Sequence, residues 1–260
     1  MDTDTFRALA RSSPWLWSSV RLDREVVRRD ARDTSFNAPA RAWIRRPGRM
    51  RVEQPGQPAY AVDESADLGS NIAWFGATND GSPWKAPTPR SPQDPLAPQP
   101  QRRDDDLVSV RPDGFEVVYD DPMHENYLWV AMLDPVELAD GRTEDDGTLT
   151  HEAPVEFLQL TEVSFAGRAS LEAVVRPTDS YDPRCSCCPL LHSEISDAYE
   201  QQAGAPPQPP MRYADAYRVV LDRATGICVS MHEVGGDDDG AGFDVTIGEV
   251  DVDYPDTLFG

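Results

Sequence analysis

Cys185-Ser186-Cys187-Cys188 gathers three of the chain's four cysteines within four residues, and His192 follows four positions after Cys188. Thiolate sulfur and imidazole nitrogen are soft donors, so such a grouping suits a tetrahedral zinc ion. Cys228 and His232 form a second pair, four apart on an apolar run that reads as a strand, which predicts one shared face. The expected metal set is therefore Cys185, Cys187, Cys188 and His192, with Cys228 or His232 joining from the neighbouring hairpin. The same thiols also fit a redox or disulfide role, or inert reduced cysteines acting as small hydrophobes. Adjacent side chains of an extended segment point to opposite faces, so some of the three should meet solvent or a partner group.

Catalytic chemistry finds less support. His124 beside Glu125 and His151 beside Glu152 have no identifiable Ser or Cys nucleophile to activate, so no enzyme is expected. Gly235 to Gly240 resembles a calcium loop only faintly. Its first position is Gly, and its twelfth is Thr246 where a bidentate Glu is needed, so it reads as a hairpin loop.

With 24 basic and 46 acidic residues the net charge is −22, which argues against nucleic acid or an anionic membrane as the main partner. Residues 1–60 nonetheless hold 12 Arg against 7 acids, on strand-like segments whose charges should pair across a solvated sheet face. The 39% hydrophobic content is lean but sufficient for a core. No apolar run approaches the ~20 residues of a membrane helix, and the first 30 residues show no secretory h-region. The expected location is the cytoplasm.

The elements that must carry these residues are mostly strands. Asp4 can cap a short helix over Thr5–Arg11. Val20, Leu22, Arg24 and Val26 alternate with Arg21, Asp23, Glu25 and Val27, a strand period continuing to Arg29. Ala40 to Glu53 reads as a hairpin around Arg46-Pro47-Gly48-Arg49, with the chemistry of a type II turn. Asp121-Pro122 predicts a helix start, and Met123 to Leu133 is apolar nearly all round, so that helix should be buried on more than one side. A short turn through Val136 and Leu138 should follow, and Glu137 to Asp146 reads as a solvated loop. Val155 to Phe165 and Leu171 to Val175 flank a turn at Ala166-Gly167. Ala216 to Leu221 and Ile227 to Val234 flank another at Asp222 to Gly226. In the last strand Val245 and Ile247 share one parity, and Val250, Val252 and Tyr254 the other, which predicts a β-bulge at Gly248-Glu249. Two segments read as loops: a proline-rich insertion at about 82–106, and a cysteine-containing loop at about 177–212.

Hairpins in succession, one bulged, imply an α+β fold: a strongly curved antiparallel sheet, an incomplete barrel, with helices on its concave side. The segment Ala42-Trp43-Ile44-Arg45-Arg46-Pro47-Gly48-Arg49-Met50-Arg51-Val52-Glu53 resembles the Pro-Gly, aromatic or Met, Arg, apolar, Glu hairpin of the LolA-like lipoprotein carriers. The hairpin at Asp222, Thr225 and Gly226, and the first helix leading through Trp15 and Trp17 into a strand, are similar too. The resemblance implies a single domain over 1–260, with a cavity that in the family holds acyl chains. Related domains bind lipids or sense mislocalised lipoproteins for stress-response regulators. The insertion and the cysteine cluster are additions to that pattern.

The functional expectation is a non-catalytic binding protein for an acyl chain or other hydrophobic small molecule or lipid. Trp43, Trp74, Tyr127, Trp129 and Met132 are the expected lining. The alternative is a cytosolic interaction or regulatory module, its protein partner engaged through the proline-rich insertion, with the cysteines as a zinc or redox cluster.

Overall fold

The alternation of apolar and charged residues in the N-terminal strands becomes a sheet with two unlike faces. The computed structural model describes residues 2–27, 38–63, 92, 99–112, 121–142 and 152–260. Trp74, His151, Arg28, Arg29 and most of the proline-rich insertion lie outside them. In chain order the strands are β1 (Ser19–Val27), β2 (Ala40–Arg45), β3 (Arg49–Glu53), β4 (Tyr60–Asp63), β5 (Gln101–Arg102), β6 (Val108–Val110) and β7 (Val155–Phe165). Then come β8 (Arg168–Pro177), β9 (Ala216–Asp222), β10 (Cys228–Val234) and β11 (Gly242–Val250). The helices are α1 (Thr3–Leu16), α2 (Leu128–Leu133) and α3 (Glu194–Gln202).

Nine strands form one antiparallel sheet in the order β4-β3-β2-β1-β11-β10-β9-β8-β7. Two meanders are thus joined at the centre by the first and last strands, and among the described residues β4 and β7 remain as edges of a sheet that does not close. The expected bulge is present: Arg21 pairs with Glu249 and Leu22 with Ile247, which leaves Gly248 as the extra residue. Register also shifts in β10 and in β7. Each extra residue bends its strand and adds twist, and together these curl the sheet.

One face is apolar. Val20, Ile44, Met50 and Val62 stand in register across four strands, as do Ile247, Leu22, Ala42 and Val52. The other face is a lattice of ion pairs. Arg41 meets Asp23 at 2.6 Å, Arg21 meets Glu249 at 3.4 Å, Arg49 meets Asp63 at 2.8 Å and Arg51 meets Glu53 at 2.8 Å. Among the described residues, Arg21, Arg41, Arg49 and Arg51 are therefore paired with acids of the same sheet, as the charge pattern suggests.

The helices pack on the apolar face, and their boundaries differ from expectation. Helix α1 starts earlier, with Asp2 rather than Asp4 as the cap, its carboxylate accepting from the Asp4 N–H at 3.1 Å, and runs on through Pro14. Helix α2 is a six-residue segment, not an eleven-residue one. Asp121 does not cap it, because its carboxylate is committed elsewhere. It takes two hydrogen bonds from Arg46, 2.7 and 2.8 Å, with both side chains buried. The same guanidinium donates to the carbonyls of Ser13 and Trp17 at the end of α1 and lies over the Trp17 ring. A cation there is favoured by the partial negative charge of a helix C-terminus. Arg46 thus ties the β2–β3 connection, α1 and the approach to α2 into one unit. That connection is a three-residue loop between paired Arg45 and Arg49, with Gly48 at φ +69°, rather than the expected two-residue turn.

The hairpin turn at Gly226 has a second constraint beyond its φ of +70°. A Cβ there would sit 2.8 Å from the Leu9 carbonyl oxygen, so α1 lies directly against this turn. Helix α1 is also fastened to α2, where Ser13 Oγ donates to the Leu133 carbonyl at 2.6 Å. On its other side the β5–β6 ribbon donates the Val108 N–H to Ser12 Oγ at 2.7 Å. That ribbon begins inside the stretch read as a proline-rich loop. No helix among the described residues is long and apolar enough to cross a membrane.

Removing one partner of a buried ion pair leaves the other charge uncompensated, which typically costs ~3–5 kcal/mol. Asp121→Ala should lower unfolding stability by about that much in urea titration. Glu156→Ala, at an exposed pair with Arg176, should leave the midpoint nearly unchanged. Equal midpoints for the two variants would contradict this reading of Arg46.

Candidate functional site

The three clustered cysteines are not in extended backbone. The Cys188 N–H bonds back to the Cys185 carbonyl at 3.3 Å, closing a turn that brings all three sulfurs to one side. Sγ of Cys185 and Cys187 are 2.9 Å apart, those of Cys187 and Cys188 are 3.6 Å apart, and all three lie within 4.8 Å of one another. All are free thiols; Cys187 is exposed and the other two are half-buried. The Tyr127 N–H, just ahead of α2, donates to Cys188 Sγ at 3.3 Å.

Two buried carboxylates hold this turn from beneath. Asp134, at the end of α2, binds Arg184 at 2.7 Å and also takes a forked pair of bonds from Arg111. Glu137, in the short 3₁₀ turn Val136–Leu138, accepts the Arg184 N–H at 3.0 Å, the Leu190 N–H at 2.8 Å and the Tyr181 hydroxyl. Tyr181 in turn accepts the Leu191 N–H at 3.0 Å. Both flanks of the cysteine turn are therefore pinned to one carboxylate. This corrects the reading of Glu137 to Asp146 as a solvated loop, since Glu137 is 1% exposed. Its three donors lie some fifty residues further along the chain, and no local pattern announces them.

The electrostatics separate the groups. Burial pushes the Glu137 carboxyl above its ordinary range, against the bonds from Tyr181, Arg184 and Leu190. Burial also opposes ionisation of Asp134, but Arg111 and Arg184 more than reverse it, and that carboxyl is held low. Among the thiols, the S–H of Cys188 first, and Cys187 with it, hydrogen-bond to Cys185 and bring it down to about 5. Burial and the neighbouring Cys185 sulfur push Cys187 up to about 11, and Cys188, which donates to Cys185, is raised as well.

The other expected ligands are elsewhere. His192 faces away into a network in which Nε2 meets Asp197 at 2.8 Å and the ring packs against Tyr213. Cys228 and His232 do not share a face. The register shift in β10 puts Cys228 opposite Leu221 in the core and His232 opposite Arg218 on the outer face. Cys228 is fully buried, with its thiol raised by that burial, and His232 pairs with Asp244 at 3.0 Å. Cys185 and Cys188 also have two residues between them, the separation common in metal and dithiol pairs, a signal hidden because Cys187 is one of the two.

The expected apolar lining is divided too. Trp129 and Met132 are fully buried in the core on the apolar face, and Tyr127 is half-buried beside Cys188. Trp43 lies on the opposite face, in register with Arg21 and Arg51, because Ala42 and Ile44 take the inner positions. Two residues not anticipated, Tyr60 and His124, extend the aromatic row at the β4 edge. Their rings are 4.8 Å apart, and His124 is 5.9 Å from Trp129. Burial, with Arg24 nearby, lowers the basicity of His124. At the opposite edge a cleft of about 520 Å³ mixes charged and apolar walls, including Arg7, Glu156 and Phe157.

No protein-family model matches the sequence, and no curated protein matches it. Among solved structures, a crystal structure of MucB is similar at 11% identity and a TM-score of 0.33, covering 99% of this chain and 62% of that one. The MucA/MucB complex of Pseudomonas aeruginosa is similar at 14% identity and a TM-score of 0.31, covering 98% and 59%. The chain thus spans about three fifths of the solved chains it matches, and its own geometry carries the argument.

His232 offers a pH test. Its bond to Asp244 raises it above the ordinary 6.5, so its stabilisation is present below that value and lost as pH rises through the folded one. His232→Gln should therefore destabilise the protein at pH 5.5 and have less effect at pH 8.5, by under ~1 kcal/mol because the pair is partly solvated. A difference that grows with pH would contradict the assignment.

Proposed function

We propose that this chain is a non-catalytic binding protein that holds an acyl chain at the β4 rim of its curled sheet. The observation that carries the reading is the aromatic row Tyr60–His124–Trp129, which leads from solvent into the core. At its outer end Tyr60 is 42% and Met123 40% exposed, two large apolar side chains beside the last strand of the sheet among the described residues. Val62 follows on the inner face of β4, half-buried. A rim of this composition offers apolar contact with few polar groups, the usual character of a lipid or small-molecule site.

Mass spectrometry of organic extracts from gently purified protein tests this directly. Acyl-containing species should accompany the wild-type chain and be depleted from Tyr60→Asp/Met123→Asp, whose substitutions are at exposed positions and should leave far-UV circular dichroism unchanged. Extracts with no such species, or with equal amounts in both proteins, would overturn the reading.

A further inference from the structure

We infer that Cys185, Cys187 and Cys188 form a three-thiolate site for one zinc ion, with the fourth position on the solvent side, where Cys187 is exposed. This site is separate from the apolar rim and does not depend on it. The first ground is convergence. Three consecutive-turn sulfurs face one another within 4.8 Å, and no other group of three or more His, Cys, Asp or Glu donors among the described residues is so arranged. With Zn–S bonds of about 2.3 Å, tetrahedral geometry places sulfurs about 3.8 Å apart. The observed separations of 2.9 and 3.6 Å need shifts on the order of an ångström or less to accept the ion.

The second ground is that the turn is built, not incidental. Glu137 fixes the amides of Arg184 and Leu190 on either side of it, and Asp134 fixes the Arg184 side chain. The sulfurs are held on a support reaching into the core, which lowers the ordering cost of binding. The Tyr127 N–H aimed at Cys188 Sγ is the kind of outer bond that orients a ligating thiolate. Three sulfur donors with no imidazole or carboxylate among them select a soft ion over magnesium or calcium. Each thiol that binds releases its proton to solvent, and no electron is transferred.

Equilibrium dialysis of the reduced full-length chain against zinc, read by elemental analysis, should give one ion per chain. Cobalt in its place should show thiolate-to-metal charge transfer and tetrahedral d–d bands. Cys187→Ser removes an exposed sulfur without threatening the core, and should lose the ion on gel filtration while keeping the wild-type circular dichroism. His192→Gln should retain it. Absence of zinc from the fully reduced protein, retention by Cys187→Ser, a cobalt spectrum without thiolate bands, or isolation of a disulfide under anaerobic conditions would each overturn the assignment.

Discussion

Two carboxylates three positions apart, Asp134 and Glu137, sit at the end of a buried apolar helix and organise much of what surrounds it. Neither could be buried alone, since desolvating a carboxylate costs several kcal/mol unless donors replace the lost water. Asp134 receives two guanidinium groups, and Glu137 receives two amides and a phenol. Satisfying these acids draws Arg111 and Arg184 inward from segments distant in sequence. The ribbon ahead of α2 and the cysteine turn behind it become fixed to the same point.

Arg46 plays the complementary role at the C-terminus of α1. One guanidinium satisfies the helix terminus, covers Trp17 and neutralises Asp121. Buried polar networks of this kind are weak evidence for added stability, because apolar substitutes can do as well. Their effect is on arrangement: they allow one placement of helices on a sheet whose apolar face would accept several. The open edges at β4 and β7 and the outer lattice of ion pairs then leave the β4 rim as a place where large apolar side chains meet solvent.

Much of the sheet was legible because strand period and turn chemistry are local. Parity in β11 located the Gly248 bulge, and Gly226 and Ala166-Gly167 marked their hairpins. The same parity rule, applied to Ala42 and Ile44, already places Trp43 on the charged face; its aromatic character suggested otherwise. What escaped was non-local. Asp121 looks like a helix cap until Arg46 claims it, and Glu137 looks solvated within an acidic run until its three donors arrive. A bulge at Val229 left no sequence mark, so Cys228 and His232 were assigned a common face that β10 does not give them. The sulfur cluster itself was readable from spacing, but the clasp that orders it was not.

Glu137 holds the cysteine turn as firmly as the core strands are held. Native-state hydrogen exchange of the Arg184 and Leu190 amides tests it most directly. Protection should approach that of core amides in β9 and β10, and should be lost at both positions in Glu137→Ala while β9 remains protected. Exchange at Arg184 and Leu190 as fast as at the exposed Gln208 amide in the wild-type protein would contradict it.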